Sequence, residues 1–153
     1  MELSGDTKIV QLGQNDVSLF RQLIDLFAGV FETKPGAGTS DAYLMAVLSN
    51  PFFVVFAAVV NGAVVGGVTG YILPQYTGER AELFIYDIAV KTEFQRASVG
   101  TRLLGAMNMF CKDNGIDLFI VAAYEEDLNA VDFYLRAGGN AERVVHFSFE
   151  VEA

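Results

Sequence analysis

The segment from Asp87 to Thr101, DIAVKTEFQRASVGT, carries an apolar run through a short stretch of small and polar residues into a helix-like pattern that starts near Val99. The first N–H groups of a helix have no intrahelical partner and carry the positive end of the helix dipole. Gln95, Arg96, Ala97, Ser98, Val99 and Gly100 therefore make a cradle suited to a pyrophosphate, with small residues that let an anion reach the backbone. Asp87 is a charge inside an otherwise apolar run, AELFIYDIAV. A lone buried carboxylate is costly, so Asp87 either faces a cavity or a cation, where it is a base or a charge partner, or it sits at an edge with that face in water. Glu82, five residues earlier, is a second acid of the same run. Glu125, Glu126 and Asp127 follow the run Leu118 to Ala123 directly. At the carboxyl end of a parallel strand three acids would attract a ligand with several ammonium groups; the plainer reading is a solvated acidic turn. His146 lies in an alternating run and reads first as structural, second as part of a binding pocket. Cys111 lies on an apolar helical stripe and reads as core.

These residues need elements to position them. Ile9 to Leu12 reads as a first strand. A helix starts near Asn15-Asp16 and carries Phe20, Leu23, Ile24, Phe27, Val30 and Phe31 on one stripe. A Gly-rich loop, Thr33 to Thr39, leads to a second helix capped by Ser40 or Asp41 and ended at Pro51. Phe52 to Val60 and Ala63 to Leu73 form a hairpin about Asn61-Gly62, a turn in which both residues need positive φ. Ala81 to Val90 is a third antiparallel strand. Val99 to Asn114 is a helix, Leu118 to Ala123 a strand parallel to 81–90, Asn129 to Ala137 a short helix, and Val144 to Val151 a last strand. The order predicts an α/β fold, with a mixed sheet flanked by helices and a ligand crevice where parallel strands diverge.

Composition narrows the class. The chain has 153 residues, 52% hydrophobic and 19% charged, which suits one globular domain spanning 1–153. One Cys and one His exclude an internal disulfide and a Cys-based zinc cage, and no metal is expected. A formal net charge of −9 argues against nucleic acid as a partner and for a cationic one. The polar start, Met1 to Lys8, is unlike a secretory signal, and with a single Cys a cytoplasmic location is expected. The uncharged stretch from Ala42 to Gly78 is long enough to span a membrane, but Pro51, Asn61-Gly62, Gly66-Gly67 and Gly70 break it, so no membrane partner is expected.

Gln95-Arg96-Ala97-Ser98-Val99-Gly100, after a strand and before a helix, resembles the Q/R-x-x-G-x-G/A acetyl-CoA loop of the GNAT N-acetyltransferase superfamily. The middle glycine of that pattern is Ser98, which is expected to hold a helical φ without strain and to narrow the approach to the phosphates. Further, GYILP (Gly70–Pro74), IYDIAV (Ile85–Val90), AVDFY (Ala130–Tyr134) and VVHF (Val144–Phe147) are similar to the gentamicin-modifying aminoglycoside 3-N-acetyltransferases, from about Asp41 onward. The resemblance implies the GNAT acyl-CoA N-acyltransferase fold and acetyl-CoA as cosubstrate. It implies that Ile88, Ala89 and Val90 offer backbone groups to the pantetheine arm, and that Gln95 to Thr101 hold the pyrophosphate. It gives Tyr134 the role of general acid toward the leaving thiolate, where a core aromatic is the alternative. Beside it, Asp87 is read as a base or a charge partner for the attacking amine, and Glu82, Glu125, Glu126, Asp127 and His146 as candidate acceptor contacts. An aminoglycoside acetylated at its 3-amine by direct attack in a ternary complex is expected, by a homodimeric enzyme. Two alternatives stand beside it: another amine acceptor (a protein N-terminus, a polyamine or an amino acid derivative), and a GNAT-like module that binds acyl-CoA without turnover.

Overall fold

The structure, a computed structural model, describes residues 6–34 and 38–152; the start of the polar N-terminal segment and the middle of the 33–39 loop lie outside the described residues. The chain divides into two compact units, Met1–Ala122 and Ala123–Ala153.

The first unit holds β1 (Lys8–Gln11), α1 (Val17–Val30), α2 (Asp41–Ser49), β2 (Phe53–Val60), β3 (Ala63–Pro74), β4 (Ala81–Val90), one 3-10 turn (Thr92–Phe94), α3 (Val99–Asp113) and β5 (Phe119–Val121). The sheet order is β1-β2-β3-β4-β5. The first four strands pair antiparallel in sequence, and β5 joins β4 in parallel, which makes the sheet mixed as expected. The hairpin turn stands at Asn61 φ 49° and Gly62 φ 81°, the positive values that Asn-Gly tolerates. α1 and α2 cover one face: Phe20, Leu23, Leu26, Phe27, Leu44 and Leu48 pack with Phe53, Val55, Ala57 and Val64. α3 covers the other, where Leu103, Met107 and Cys111 meet Val54, Val68, Leu83 and Ile85. Gly67 admits α1 to the sheet: a Cβ there would lie 2.3 Å from Leu23, whose side chain is fully buried. Cys111 is core, as read, and burial pushes its thiol up, away from the thiolate.

The second unit holds α4 (Leu128–Arg136). The strand expected over Val144–Val151 is a correction: residues 140–152 join no ladder, because an alternating apolar run becomes a strand only when a second strand meets its backbone groups. His146, read as lying on that strand, belongs to this unpaired segment. The expected strand Leu118 to Ala123 is shorter than read, with three ladder residues. Among the described residues no helix is long and apolar enough to cross a membrane, and the stretch 42–78 holds most of α2 and the β2–β3 hairpin instead.

Candidate active site

β4 changes character halfway along. Leu83 and Ile85 point to the α3 face, and so does Ile88, three residues further on instead of two. A strand keeps a face only at even spacing, so one residue is inserted between them. The β3–β4 register places the insertion, since Gly70 pairs with Ile85 but Thr69 pairs with Asp87. Tyr86 is the extra residue. In consequence Tyr86 and Asp87, neighbours in sequence, both stand on the α1 face: the Tyr86 ring meets Tyr71 and Phe84, and Asp87 borders a cleft walled by α1.

The bulge disturbs the ladder, and a side chain repairs it. The Asp87 N–H donates to Thr69 Oγ1 at 3.2 Å. Thr69 is 5% exposed and is the only buried polar side chain among the described residues. Without that hydroxyl the Asp87 amide would stand unpaired in a half-buried strand, which costs about 1–3 kcal/mol.

The bulge also frees an edge. β5 pairs only with Leu83, Phe84 and Ile85, and leaves β4 where the bulge begins. The Asp87 N–H reaches Thr69 and the Lys91 N–H reaches Val65 O, so residues 87, 89 and 91 turn their backbone groups to β3. By alternation Ile88 and Val90 turn theirs to the side that β5 has left. Of the three residues expected to pair with a pantetheine arm, Ile88 and Val90 thus face the open edge, and Ala89 belongs to the β3 ladder opposite Gly67. Gln95 Nε2 donates to Val90 O at 3.0 Å and ties the loop back to the strand, so its side chain positions the cradle.

The cradle follows the 3-10 turn. Arg96 stands at φ 65° and Ser98 at φ 63°, both left-handed. The helical φ expected of Ser98 is therefore corrected: the chain turns sharply at this position to aim the start of α3, and the αL conformation is what a glycine would have supplied without strain. Ser98 gives no side-chain cap, so the N–H groups of Val99, Gly100 and Thr101 have no partner within the helix and are open to an anion. Ala97 fills the step between the two left-handed residues.

The cleft on the α1 face measures about 330 Å³ and is lined by Ile24, Phe27, Ala28, Phe31, Thr33, Lys34 and Asp87. Burial pushes the Asp87 carboxyl above its ordinary value of 3.8. A larger depression of about 500 Å³ lies against Phe110 and Asn114 at the other end of α3, roughly 20 Å from the cradle, and has no titratable group in its lining. Glu82 is not among the cleft residues; five positions from Asp87, it stands about 16 Å away along the strand.

In the second unit, Asp127 Oδ1 accepts from the Ala130 N–H and caps α4, and Glu125 pairs with Arg143 at 3.5 Å. Among the described residues Glu126 is the member of the acidic run whose side chain makes no hydrogen bond or ion pair. Tyr134 is half-buried on α4, edge-on to Phe133 with centroids 5.3 Å apart. His146 is exposed. The sequence reading missed Thr69, Tyr71, Tyr86 and the α1 wall. The available signals were a lone hydroxyl in the apolar run GGVTGYIL and a tyrosine breaking the alternation of β4.

An opened strand edge, a backbone cradle at a helix start and an acid on a neighbouring cleft are the parts of an acyl-CoA-dependent transferase. The family model described as the acetyltransferase (GNAT) family matches residues 20–139. The chain belongs to the GNAT acetyltransferase family. As a GNAT enzyme it uses acetyl-CoA, and the free edge of β4 with the start of α3 fits that cosubstrate. No curated protein sequence matches the chain. Among solved structures it is similar to the aminoglycoside acetyltransferase meta-AAC0020 from an uncultured soil metagenomic sample, in complex with trehalose. That match has 38% identity and a TM-score of 0.91, and covers 95% of this chain and 97% of that one. The same acetyltransferase in complex with sisomicin matches at 37% identity and a TM-score of 0.91, over 95% of this chain and 97% of that one. The aminoglycoside acetyltransferase HMB0005, also from an uncultured soil metagenomic sample, matches at 30% identity and a TM-score of 0.91, over 96% and 99% of the two chains.

Proposed function

We propose that this GNAT enzyme acetylates an aminoglycoside, at the 3-amine of the gentamicin type, with residues 1–153 acting as one catalytic domain. The observation that carries the reading is Asp87: an acid that the β4 bulge turns onto a cleft beside an open strand edge and a helix-start cradle. The sisomicin complex of a relative 37% identical supports the acceptor class, and the GYILP, IYDIAV, AVDFY and VVHF segments support the 3-amine.

The residues divide the work. Ile88 and Val90 hold the pantetheine arm as if it were one more strand, and the N–H groups of Val99, Gly100 and Thr101 take the pyrophosphate with Arg96 beside them. The acceptor nitrogen attacks the thioester carbon, forming the amide C–N bond as the C–S bond breaks. Asp87, ionised, takes the amine proton, and the Tyr134 phenol donates to the departing thiolate. Proximity of two bound substrates supplies much of the rate. The raised pKa of Asp87 makes it a stronger base than a solvated carboxylate, which suits proton removal from an ammonium-derived nucleophile. Glu126, with Glu125 and Asp127, draws in the polycation. A cytoplasmic homodimer completes the reading.

Mixing the protein with gentamicin and acetyl-CoA should release coenzyme A stoichiometrically, with the acetyl group on N3 by two-dimensional NMR. Acetylation at a 6′-amine, or release only with peptides or polyamines, overturns the reading. In the same assay Tyr134→Phe should lower kcat by ~10²-fold and leave the KM for acetyl-CoA little changed. Parent-like turnover would return Tyr134 to a packing role.

A further inference from the structure

Five aromatic rings form a connected series across the α1 face. Centroids are 5.8 Å apart for Phe20–Phe53, 5.2 Å for Phe53–Tyr71, 5.9 Å for Tyr71–Tyr86 and 6.4 Å for Tyr86–Phe84. The series runs from core to water: Phe20 is 6% exposed, Tyr71 37% and Tyr86 65%. Burial first, then Tyr86, Tyr43 and Asp87, push the Tyr71 phenol up, and Tyr43 of α2 is itself 62% exposed. Tyr71 and Tyr86 thus share the face that carries the cleft acid. Core packing accounts for Phe20 and Phe53, but not for Tyr86, which stands largely in water. The bulge is what brings Tyr86 to this face, for in a regular strand it would point away from Asp87.

Exposed aromatic faces next to a carboxylate suit a ligand with two properties. Its rings must offer apolar C–H faces to stack on π surfaces, and its substituents must be cationic, to sit over those surfaces or pair with the acid. An amine-bearing saturated ring has both. We propose that Tyr86 and Tyr71, with Tyr43 at their margin, form an aromatic wall that holds a ring of the acceptor beside Asp87 and selects cyclic over linear polyamines. This rests on the functional reading above.

Tyr86→Leu keeps apolar bulk and removes the π face, whereas Tyr86→Phe keeps the face. The Leu variant should raise the KM for gentamicin about tenfold, and the Phe variant should stay near the parent. For both, kcat and the KM for acetyl-CoA should hold. Spermidine, a linear polyamine used as a competitive inhibitor, should bind parent and Leu variant equally. The chain has no Trp, so its tyrosine fluorescence gives a reading without turnover. Gentamicin alone should perturb it in the parent, and about tenfold more gentamicin should be needed in the Leu variant. If Tyr86→Leu melts well below the parent, Tyr43→Leu, at a 62% exposed position of α2, carries the same test. The wall is overturned if the parent acetylates gentamicin and the Leu variant matches it in KM and titration, or if gentamicin and spermidine weaken together. Failure of the parent to acetylate any aminoglycoside overturns the functional reading, and the wall with it.

Discussion

The two faces of the first unit's sheet are built from the same strands and do opposite work. On the α3 face, Leu83, Ile85, Leu103 and Met107 are at most 1% exposed, and Cys111, the titratable group of that buried cluster among the described residues, is pushed toward the neutral thiol by burial. On the α1 face the same β3 and β4 carry Thr69, Tyr71, Tyr86 and Asp87, and Asp87 borders an open cleft. One inserted residue separates these regimes. Before Tyr86, β4 is a regular core strand paired on both sides; after it, the strand has a free edge, and two successive side chains face the cleft. The fold thus obtains a site from a strand without giving up its core, since the irregularity is confined to one residue and satisfied by one hydroxyl.

Substitutions should separate the faces cleanly. The largest effect is expected on the closed one. Leu103→Ala empties a fully buried position, and the cavity should cost about 2–5 kcal/mol, lowering Tm by about 10 °C. Assayed well below its Tm, the variant should keep the parent KM for gentamicin. A raised acceptor KM with an unchanged Tm would show that the two faces are not independent.

Asp87→Asn should do the reverse. With Asp87 as the base proposed above, kcat should fall by about 10²-fold. Stability should rise slightly at neutral pH. The folded-state pKa of Asp87 lies above 3.8, so the native state favours the protonated form. That contribution is complete below the ordinary value and is lost as pH rises through the raised one, so at neutral pH the ionised group costs stability. Asn carries no such cost. The Tm advantage of Asn over the parent should therefore be present at pH 7 and vanish as pH falls toward 3.8. In the parent, kcat/KM should fall on the acid side with an apparent pKa above that value, and this limb should be absent from the residual activity of the variant. A Tm difference that is the same at pH 7 and pH 4 would mean the carboxyl is not desolvated.

Much of this was legible in the sequence, for identifiable reasons. Asn61-Gly62 announces its turn because few dipeptides tolerate two positive φ values. Ala81–Val90 reads as a strand to the residue, because its apolar run is bounded by turn chemistry on both sides. Asp87 is conspicuous because charge is rare there. The bulge was not legible. Ile85, Tyr86, Asp87 and Ile88 fit the β pattern whether or not a residue is inserted, and only the pairing with Thr69 and Gly70 decides it. Val144–Val151 failed for a related reason: alternation fixes which side chains share a face but says nothing about whether a partner strand is present. The strain at Ser98 was missed because the motif shows that a glycine belongs there without saying which φ that glycine serves.

Ser98 offers the finest test, since α3 belongs to both regimes: its body packs the closed face and its start serves the open one. Leu103 and Ser98 are five residues apart on one helix and should respond differently. At φ 63° a residue with a Cβ crowds the following carbonyl, at roughly 1–2 kcal/mol, and polar side chains ease this only in part. Ser98→Gly removes the crowding but returns about 0.5–1 kcal/mol of chain entropy to the unfolded state, so a net gain of under about 1 kcal/mol is expected. No hydrogen bond is lost, because Ser98 makes no cap. Tm should rise by about 2 °C, and the KM for acetyl-CoA should fall a few-fold as the phosphates gain a closer approach to the backbone. The acceptor KM should not move. Ser98→Ala keeps the Cβ and loses only the hydroxyl, so it should reproduce neither change. Asn61→Gly is the control outside the site: Asn already tolerates φ 49°, and Asn61 lines neither the cleft nor the start of α3, so neither Tm nor any KM should shift appreciably. If Ser98→Ala equals Ser98→Gly, the hydroxyl rather than the backbone limits the cradle. If Ser98→Gly changes Tm alone, the start of α3 is strained for folding reasons and belongs with the closed face after all.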